Sequence, residues 1–166
     1  MSLPDDDRSC TSFSVVPLST QLAEELCGWR YEPPYDFYHW SSWEVMQQLG
    51  LEFGDPAIRE RQYAAVLDRN GTFIGFGQFF PLLGVTRIGL GIRPGLCGRG
   101  IGPHMVSALV REALRRAPND EIDLEVHVWN ERAIRAYAKA GFVITDTYVR
   151  STPNGPAEVH AMTYLP

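Results

Sequence analysis

The sequence lacks an excess of basic charge. Its 166 residues contain 15 Lys and Arg against 20 Asp and Glu, so the formal net charge is −5. Proteins that bind nucleic acid chiefly through its phosphates need a cationic face. The charge balance therefore argues against a nucleic-acid partner, and it is compatible with a cationic or neutral substrate.

Cysteine is scarce, and long apolar runs are absent. The three cysteines, Cys10, Cys27 and Cys97, show no paired spacing, and such an odd, sparse set fits a reducing compartment. The acidic start MSLPDDDRSC has neither the basic nor the apolar region of an export signal. The longest uncharged stretch, between Arg69 and Arg87, contains proline and several glycines and does not predict a membrane span. We therefore expect a cytoplasmic protein with no membrane partner.

The chain shows no internal repeat and no linker long enough to divide it. Residues 1–12 predict a loose polar tail, and 13–166 predict a single domain long enough to bury a core. Hydrophobic periodicity and Asn-Gly turns predict the element order β-α-α-β-β-β-α-β-α-β-β, which indicates a mixed α/β (α+β) fold. The strand–helix–strand unit over 85–128 requires a parallel strand pair. Predicted strands cover 13–18, 62–68, 72–80, 85–92, 122–128 and two segments around Asn154-Gly155, and predicted helices cover 19–29, about 38–49, 101–116 and 130–141.

A glycine-rich segment, GIRPGLCGRGIG, separates a predicted strand from a predicted helix. It runs from Gly91 to Gly102 and contains five glycines. Free N–H groups at a helix start after such a turn favour phosphate or pyrophosphate binding. The P-loop spelling fails because Ile101 stands where lysine is needed, and the glycine spacing does not match the dinucleotide fingerprint. The alternative is a tight strand-to-helix turn with no ligand.

Two blocks of the sequence resemble the GNAT superfamily of acyl-CoA N-acyltransferases. CGRGIG (97–102) resembles the family's Q/R-x-x-G-x-G/A signature, although Cys97 stands where Gln or Arg is usual. WNERAIRAYAKAGF (129–142) resembles the second block, N-x-x-A-x-x-x-Y-x-x-x-G-F, in the expected order and separation. The resemblance implies a single mixed, mostly antiparallel twisted sheet with helices on both faces. It also implies acetyl-CoA-dependent transfer of an acetyl group to a primary amine, on a small molecule or a protein N-terminus, with no metal.

The resemblance also implies where acetyl-CoA would bind. Backbone groups of the strand Leu90-Gly91-Ile92 would meet the thioester carbonyl and pantetheine, and the amides of Leu96 to Gly102 would meet the pyrophosphate. Pro103, in the first helical turn, has no N–H to offer. Arg99 is either an ionic contact or a solvent-facing side chain. The cofactor-binding candidates are Leu90, Gly91, Ile92, Cys97, Gly98, Arg99, Gly100, Ile101, Gly102 and Asn130.

Two side chains are candidates for the proton transfers. The phenol of Tyr137 could protonate the leaving thiolate, since a phenol has an ordinary pKa of about 10; the alternative is a core tyrosine. Glu125, His127 and Trp129 share one face of a strand by alternation. The spacing from Glu125 to Tyr137 resembles the ribosomal-protein alanine N-acetyltransferase branch, in which Glu and Tyr at these places act as base and acid.

The identity of the base stays open at this point. A carboxylate has an ordinary pKa of about 4.3, so it needs burial or a water chain to take a proton from an ammonium ion. Glu125 could instead form a structural salt bridge, and His127 has a better matched pKa range. A metal site at these two residues is disfavoured because no third ligand has suitable spacing.

The loop WRYEPPYDFYHW (29–40) is predicted to line the acceptor site, as the loop between the first two helices often does in this superfamily. Its aromatic rings and carboxylates suit an amine cation, and the alternative is a proline-fixed aromatic cap over the core. The histidines His39, His104 and His160 are expected to be ordinary. The acceptor-site candidates are Trp29, Tyr31, Glu32, Tyr35 and Tyr38.

A different class of function is compatible with the same fold. A non-catalytic acyl-CoA-binding sensor or regulatory module would keep the binding residues without turnover, because a fold does not determine a function. The identity of the amine and the oligomeric state, a homodimer included, are left open by the sequence.

Overall fold

A computed structural model describes residues 12–166, and within them seven strands form one sheet. The strands are β1 (Ser14–Pro17), β2 (Tyr63–Leu67), β3 (Phe73–Leu82), β4 (Val85–Ile92), β5 (Glu121–His127), β6 (Phe142–Thr152) and β7 (Gly155–Tyr164). Their order is β1-β2-β3-β4-β5-β7-β6. Only β4 and β5 are parallel neighbours, which confirms the predicted parallel pair and the mostly antiparallel sheet. Apart from residue 12, the predicted tail lies outside the described residues, as does Cys10.

Helices begin where the sequence offers a capping side chain. Ser19 Oγ accepts a hydrogen bond from the Leu22 N–H at 3.2 Å, and Ser42 Oγ accepts one from the Val45 N–H at 3.3 Å. Such caps satisfy N–H groups that the first helical turn leaves unpaired. The helices are α1 (Thr20–Cys27), α2 (Trp43–Leu49), α3 (Pro56–Gln62), α4 (Gly102–Arg116) and α5 (Glu131–Lys139), with a 3₁₀ turn at Glu52–Gly54.

The prediction for residues 38–62 is partly wrong. Helix α2 begins at Trp43 rather than near 38, because Ser42 is its N-cap. Helix α3 was not predicted, since its seven residues, PAIRERQ, are too few and too polar for a periodic apolar pattern. Its start does have a local signal: the Asp55 side chain caps the N–H groups of Ala57 and Ile58, and a proline follows it directly.

Two apolar layers cover the two faces of the sheet. Helix α4 contributes Met105 and Leu109 to one layer, and α5 packs against the same layer through Tyr137. Helices α1 and α2 contribute to the second layer, over β2 and β3. A Cβ at Gly75 or Gly77 would collide with Met105 and Leu109 respectively, so these two glycines allow α4 to lie close to β3. Helices on both faces are thereby confirmed.

The sheet opens between β4 and β5. These strands pair over three residues only, Val85–Arg87 with Glu121–Asp123. Beyond that point β4 continues to Ile92 while paired with β3, and β5 continues to His127 while paired with β7. The two strands therefore diverge and leave a gap, here called the wedge, between Ile88–Ile92 and Leu124–His127. Within residues 12–166, no helix combines the length and apolar character needed to cross a membrane.

Candidate active site

A cavity of about 710 Å³ occupies the wedge. Its walls come from the 29–40 loop, from β4 and β5, from the glycine-rich turn and from α5. Glu32, Arg99 and Ile101 are not part of its lining in the described chain, and Glu32 and Arg99 are exposed. The predicted site residues that the cavity brings together are Trp29, Tyr31, Tyr35, Tyr38, Leu90, Gly91, Ile92, Cys97, Gly98, Gly100, Gly102, Glu125, Asn130 and Tyr137.

The glycine-rich turn presents unpaired backbone donors. Gly98 and Gly100 both have φ of +78°, and a Cβ at either would meet nothing within 4 Å. Glycine is therefore needed there for a left-handed backbone, and the space outside the turn is open. The N–H groups of Cys97 to Gly102 donate to no acceptor in residues 12–166, and α4 begins without a side-chain cap. This combination is a potential anion site.

One predicted donor of this turn is already used. The Leu96 N–H donates to the Arg93 carbonyl at 3.1 Å, so the set of unpaired amides begins at Cys97 rather than at Leu96. The Arg99 side chain is exposed and forms no ion pair with a described residue. Arg99 belongs to the same segment, Cys97–Gly102, as the unpaired amides.

The strand β4 divides its backbone groups between the wedge and β3. The Ile92 carbonyl accepts a hydrogen bond of 2.7 Å from the Tyr31 hydroxyl. Because backbone groups alternate along a strand, those of Leu90 and Ile92 face the wedge and those of Gly91 face β3. A Cβ on Gly91 would collide with the ring of Phe76. Gly91 is thus explained by the packing of Phe76, without any ligand.

Side chains of β4, β5 and β6 form a row of alternating charge on the side of β5 opposite its buried residues Leu124 and Val126. Arg87 binds Asp123 with two hydrogen bonds of 3.0 and 2.9 Å and also pairs with Glu125 Oε1. Arg150 Nη1 donates to Glu125 Oε2 at 2.8 Å. The Glu125 side chain is 12% exposed, and both its oxygens are engaged by guanidinium groups. The salt-bridge interpretation of Glu125 is therefore what the contacts show, and its role as a base is a separate proposal.

His127 lies beside this row under a cluster of rings. We call Tyr35, Phe37, Tyr38, His127 and Trp129 the aromatic wall; their contacting ring centroids lie 4.0 to 6.2 Å apart. Burial, and then the nearby Arg150 cation, lower the pKa of His127 below its ordinary value of 6.5. Its imidazole is therefore neutral at neutral pH. Neither ring nitrogen of His127 has a hydrogen-bond partner in residues 12–166.

Tyr137 and Asn130 stand where α5 meets the wedge. Burial, together with the neighbouring Tyr38, raises the pKa of Tyr137 well above its ordinary value of 10, so its phenol stays protonated at neutral pH. Asn130 is 8% exposed, and its Oδ1 accepts a hydrogen bond of 3.3 Å from the Ala133 N–H, so Asn130 is the N-cap of α5. Asn130 also lies next to Tyr38, whose pKa burial raises above its ordinary value of 10. Tyr38 of the loop thus lies close to both the N-cap residue of α5 and Tyr137.

The 29–40 loop spans the mouth of the wedge. Tyr31 ties one end of it to β4, and its N–H donates to His39 Nε2 at 2.9 Å. Tyr35, Phe37 and Tyr38 contact the end of β5 through the aromatic wall. Trp29 is 5% exposed and belongs to the second apolar layer while also lining the cavity. The loop is therefore both a cap over the core and a wall of the cavity.

Sequence reasoning missed several lining residues. Arg150 and Thr152 enter from β6 and Phe76 from β3, and nothing in the local pattern of those strands marks them. Phe37 lies within the predicted loop but was not singled out. Gly89 of β4 also lines the cavity, and a Cβ there would have only ordinary contacts, at 3.7 and 3.8 Å from Gln78.

Comparison with solved structures finds N-acetyltransferases that share this fold. Solved structures with the same fold include a chimera of the Vibrio cholerae spermidine N-acetyltransferase SpeG and hSSAT (TM-score 0.73, 16% identity, covering 92% of this chain and 95% of that chain). They also include AAC(6')-Ib in complex with paromomycin and acetyl-CoA (TM-score 0.67, 23% identity, 92% and 93% covered). A third is a dodecameric spermidine N-acetyltransferase from Vibrio cholerae (TM-score 0.69, 17% identity, 92% and 93% covered).

A search of curated protein sequences finds no match. The family model described as "Acetyltransferase (GNAT) family" matches residues 20–142. That span contains both sequence blocks, the wedge from β4 to β5 and the 29–40 loop. Since it also covers well over half of the chain, this protein belongs to the acetyltransferase (GNAT) family.

Proposed function

We propose that this protein is an acetyl-CoA-dependent N-acetyltransferase that acetylates a primary amine on a small molecule or a protein N-terminus. One observation carries the proposal: a single cavity is lined both by residues of the turn with unpaired amides, Cys97, Gly98, Gly100 and Gly102, and by the side chains of Tyr137, Glu125 and His127. A binding turn and side chains able to transfer protons therefore line one cavity. The few cysteines support the cytoplasm as its location.

The chain's own residues fit acetyl-CoA, which would supply the activated thioester carbonyl. The unpaired amides and the uncapped start of α4 suit a pyrophosphate, and the open space over Gly98 and Gly100 leaves room for it. Backbone groups of Leu90 and Ile92 face the wedge, where they can bind an extended amide chain. Arg99 is free to approach a phosphate. AAC(6')-Ib, named in complex with acetyl-CoA, supports the same donor.

The reaction needs one proton to leave the amine and one to reach the leaving sulfur. Tyr137 is the donor in this proposal, because its raised pKa keeps the phenol protonated. For the base, the contacts favour His127 over Glu125. His127 is neutral with free ring nitrogens, whereas Glu125 would give up an ion pair to Arg87 or Arg150 on accepting a proton. Glu125 is then a positioning residue that holds Arg150 beside His127.

Two observations support different kinds of acceptor, a protein N-terminus and a small amine. The spacing from Glu125 to Tyr137 resembles the ribosomal-protein alanine N-acetyltransferase branch, which supports a protein N-terminus. The fold neighbours are named for spermidine and aminoglycoside acetylation, which supports a small amine. Both acceptors present a primary amine, so the proposal covers both.

An acetyl-CoA consumption screen over amines and peptides tests the proposal. Thiol release is followed with each acceptor, the acetylated product is identified by mass spectrometry, and CoA affinity is measured in parallel by calorimetry. We expect CoA to bind and at least one amine to give product above the rate of acetyl-CoA hydrolysis. A protein that binds CoA yet acetylates no amine in the screen would be the acyl-CoA sensor instead.

A further inference from the structure

We propose that the acceptor of this protein is a small primary amine carried on an aromatic body, with one amino group and no further positive charge. The inference rests on the proposed N-acetyltransferase activity and narrows its substrate class. It differs from the acceptors after which the fold neighbours are named, spermidine and aminoglycosides, which carry several amino groups. Three features of the cavity support it: the charged side chains of its lining, its aromatic rings and the 29–40 loop at its mouth.

The charge of the cavity does not suit a polycation. Although the chain is acidic overall, Glu125 is the one Asp or Glu among the described residues that line the cavity. Both its oxygens are already engaged by Arg87 and Arg150. The other charged side chains of the lining are basic: Arg132, Arg135, Lys139 and Arg150. A second or third ammonium group of a polyamine would thus find no free carboxylate and would meet guanidinium groups of like charge.

The 29–40 loop contributes aromatic rings to the cavity lining, whereas the carboxylates of the loop lie outside the lining. Glu32 and Asp36 are exposed and are not part of the lining in residues 12–166, whereas Tyr35, Phe37 and Tyr38 are. Phe37 and Tyr38 are each 40% exposed although they pack against His127. Aromatic rings that line a cavity and keep part of their surface exposed suit a ligand with an apolar or aromatic body.

The same wall suits the reactive form of the amine. An apolar environment without a free carboxylate disfavours an ammonium ion and favours the neutral amine, which is the nucleophile. His127 is the lining residue of the wall that can accept a proton. An aromatic amine that packs against Phe37 would therefore present its nitrogen next to the neutral imidazole.

The closure of the wedge favours a small molecule over a peptide. The 29–40 loop is tied to β4 through Tyr31 and Ile92, and to β5 through Phe37 and His127. A peptide chain leading away from its N-terminus would have to pass this loop, which narrows the way out of the cavity. A compact amine can occupy the cavity of about 710 Å³ beside the donor without displacing the loop.

A panel of four acceptors tests the inference on the full chain. The acceptors are 2-phenylethylamine, spermidine, paromomycin and a peptide that begins with alanine, each assayed for kcat/KM with acetyl-CoA. We expect 2-phenylethylamine to exceed each of the others by at least about tenfold, equivalent to 1.4 kcal/mol. Faster acetylation of spermidine, paromomycin or the peptide would overturn the aromatic-amine inference and leave the N-acetyltransferase function standing. If the protein binds CoA but acetylates none of these four acceptors and no amine in the wider screen, both the aromatic-amine inference and the N-acetyltransferase function are overturned.

A matched pair of variants tests the aromatic wall. Phe37→Ala should lower kcat/KM for 2-phenylethylamine by about fivefold or more, with CoA affinity unchanged. Phe80→Ala is the control, since Phe80 is similarly exposed, at 45%, but lies on β3 outside the cavity lining. Equal effects of the two variants would contradict the inference. Calorimetric binding of 2-phenylethylamine to the wild-type CoA complex provides a test that needs no variant, and absence of binding there would also overturn it.

The effect of the paired Glu125 carboxylate on acceptor choice is tested with variants of Arg150. Arg150→Gln removes the positive charge that pairs with Glu125 Oε2, so an ammonium group of the acceptor can take the place of that charge. The ratio of kcat/KM for spermidine to that for 2-phenylethylamine should rise at least several-fold, while Arg150→Lys, which keeps the charge, should leave the ratio near the wild-type value. A ratio that Arg150→Gln leaves unchanged would show that the neutralised carboxylate does not set the preference.

Discussion

Gly100→Asp tests the assignment of the pyrophosphate site. The substitution places a carboxylate over the unpaired amides of Cys97–Gly102. A Cβ at Gly100 meets nothing within 4 Å, so no neighbour is displaced, and the φ of +78° costs about 1–2 kcal/mol of backbone strain. At about 4–6 Å from a phosphate, the added charge is repelled by roughly 1–4 kcal/mol for an effective dielectric constant between 80 and 20. Affinity for CoA should therefore fall by about tenfold or more.

The chain offers a matched control for this variant. Gly84 has a φ of +72° and also has nothing within 4 Å of a Cβ. It precedes β4 at the opposite end from the glycine-rich turn, and the eight residues of that strand span roughly 25 Å. Gly84→Asp should thus share the strain and the added charge but keep CoA affinity, since the distance exceeds the Debye length. Calorimetry at low and high salt provides the measurement, and the loss in Gly100→Asp should shrink in high salt. Equal CoA affinity of the two folded variants would refute the site.

The remaining predictions concern proton transfer. Tyr137→Phe keeps the ring and removes the donor, so kcat should fall by roughly 10²-fold while CoA affinity persists, and a full kcat would assign the proton to water or another group. His127→Gln should remove the acid limb of the kcat/KM profile, which lies below pH 6.5 because the pKa of His127 is lowered. Glu125→Gln should keep this limb if Glu125 only positions Arg150. If Glu125→Gln alone removes the limb, with partial recovery at high pH where an amine of pKa about 10 loses its proton unaided, the base is Glu125.

Features of the fold that depend on neighbouring residues in the sequence could be predicted from it. Ser19 and Asn130 each cap a helix through a contact with the residue three positions later, so the signal for such a cap lies in the neighbouring sequence. The hairpin turns at Asn70-Gly71 and Asn154-Gly155 were identified from dipeptides that tolerate a left-handed backbone. The wedge could not be predicted, since it depends on where β5 stops pairing with β4 and continues with β7. Such pairing over a long sequence separation leaves no local pattern.

In the candidate site, too, features that depend on neighbouring residues could be predicted, and features that depend on strand order could not. Alternation along β5 predicted that Glu125 and His127 share a face, and both line the cavity. The partners of Glu125 were not predicted, because Arg87 and Arg150 reach it from β4 and β6. Two basic residues on separate strands become neighbours of one carboxylate only through the strand order. The position of Glu125 on β5 could thus be predicted, whereas its two ion pairs, which disfavour it as a base, could not.

Packing against Phe76, rather than a ligand, explains the glycine at position 91, and variants can distinguish the two. A Cβ on Gly91 collides with the Phe76 ring, so Gly91→Ala should lower the free energy of unfolding by about 1–3 kcal/mol, or the Tm by roughly 3–10 °C. Phe76→Leu removes the ring, so the further loss that Gly91→Ala causes in that background should be smaller. A Cβ on Gly89 has only ordinary contacts, so Gly89→Ala should keep the Tm and raise the KM for acetyl-CoA if the ligand lies over β4 there. Thermal unfolding and steady-state kinetics of these variants decide the matter: if Gly91→Ala keeps the wild-type Tm, packing against Phe76 is not what requires glycine at this position.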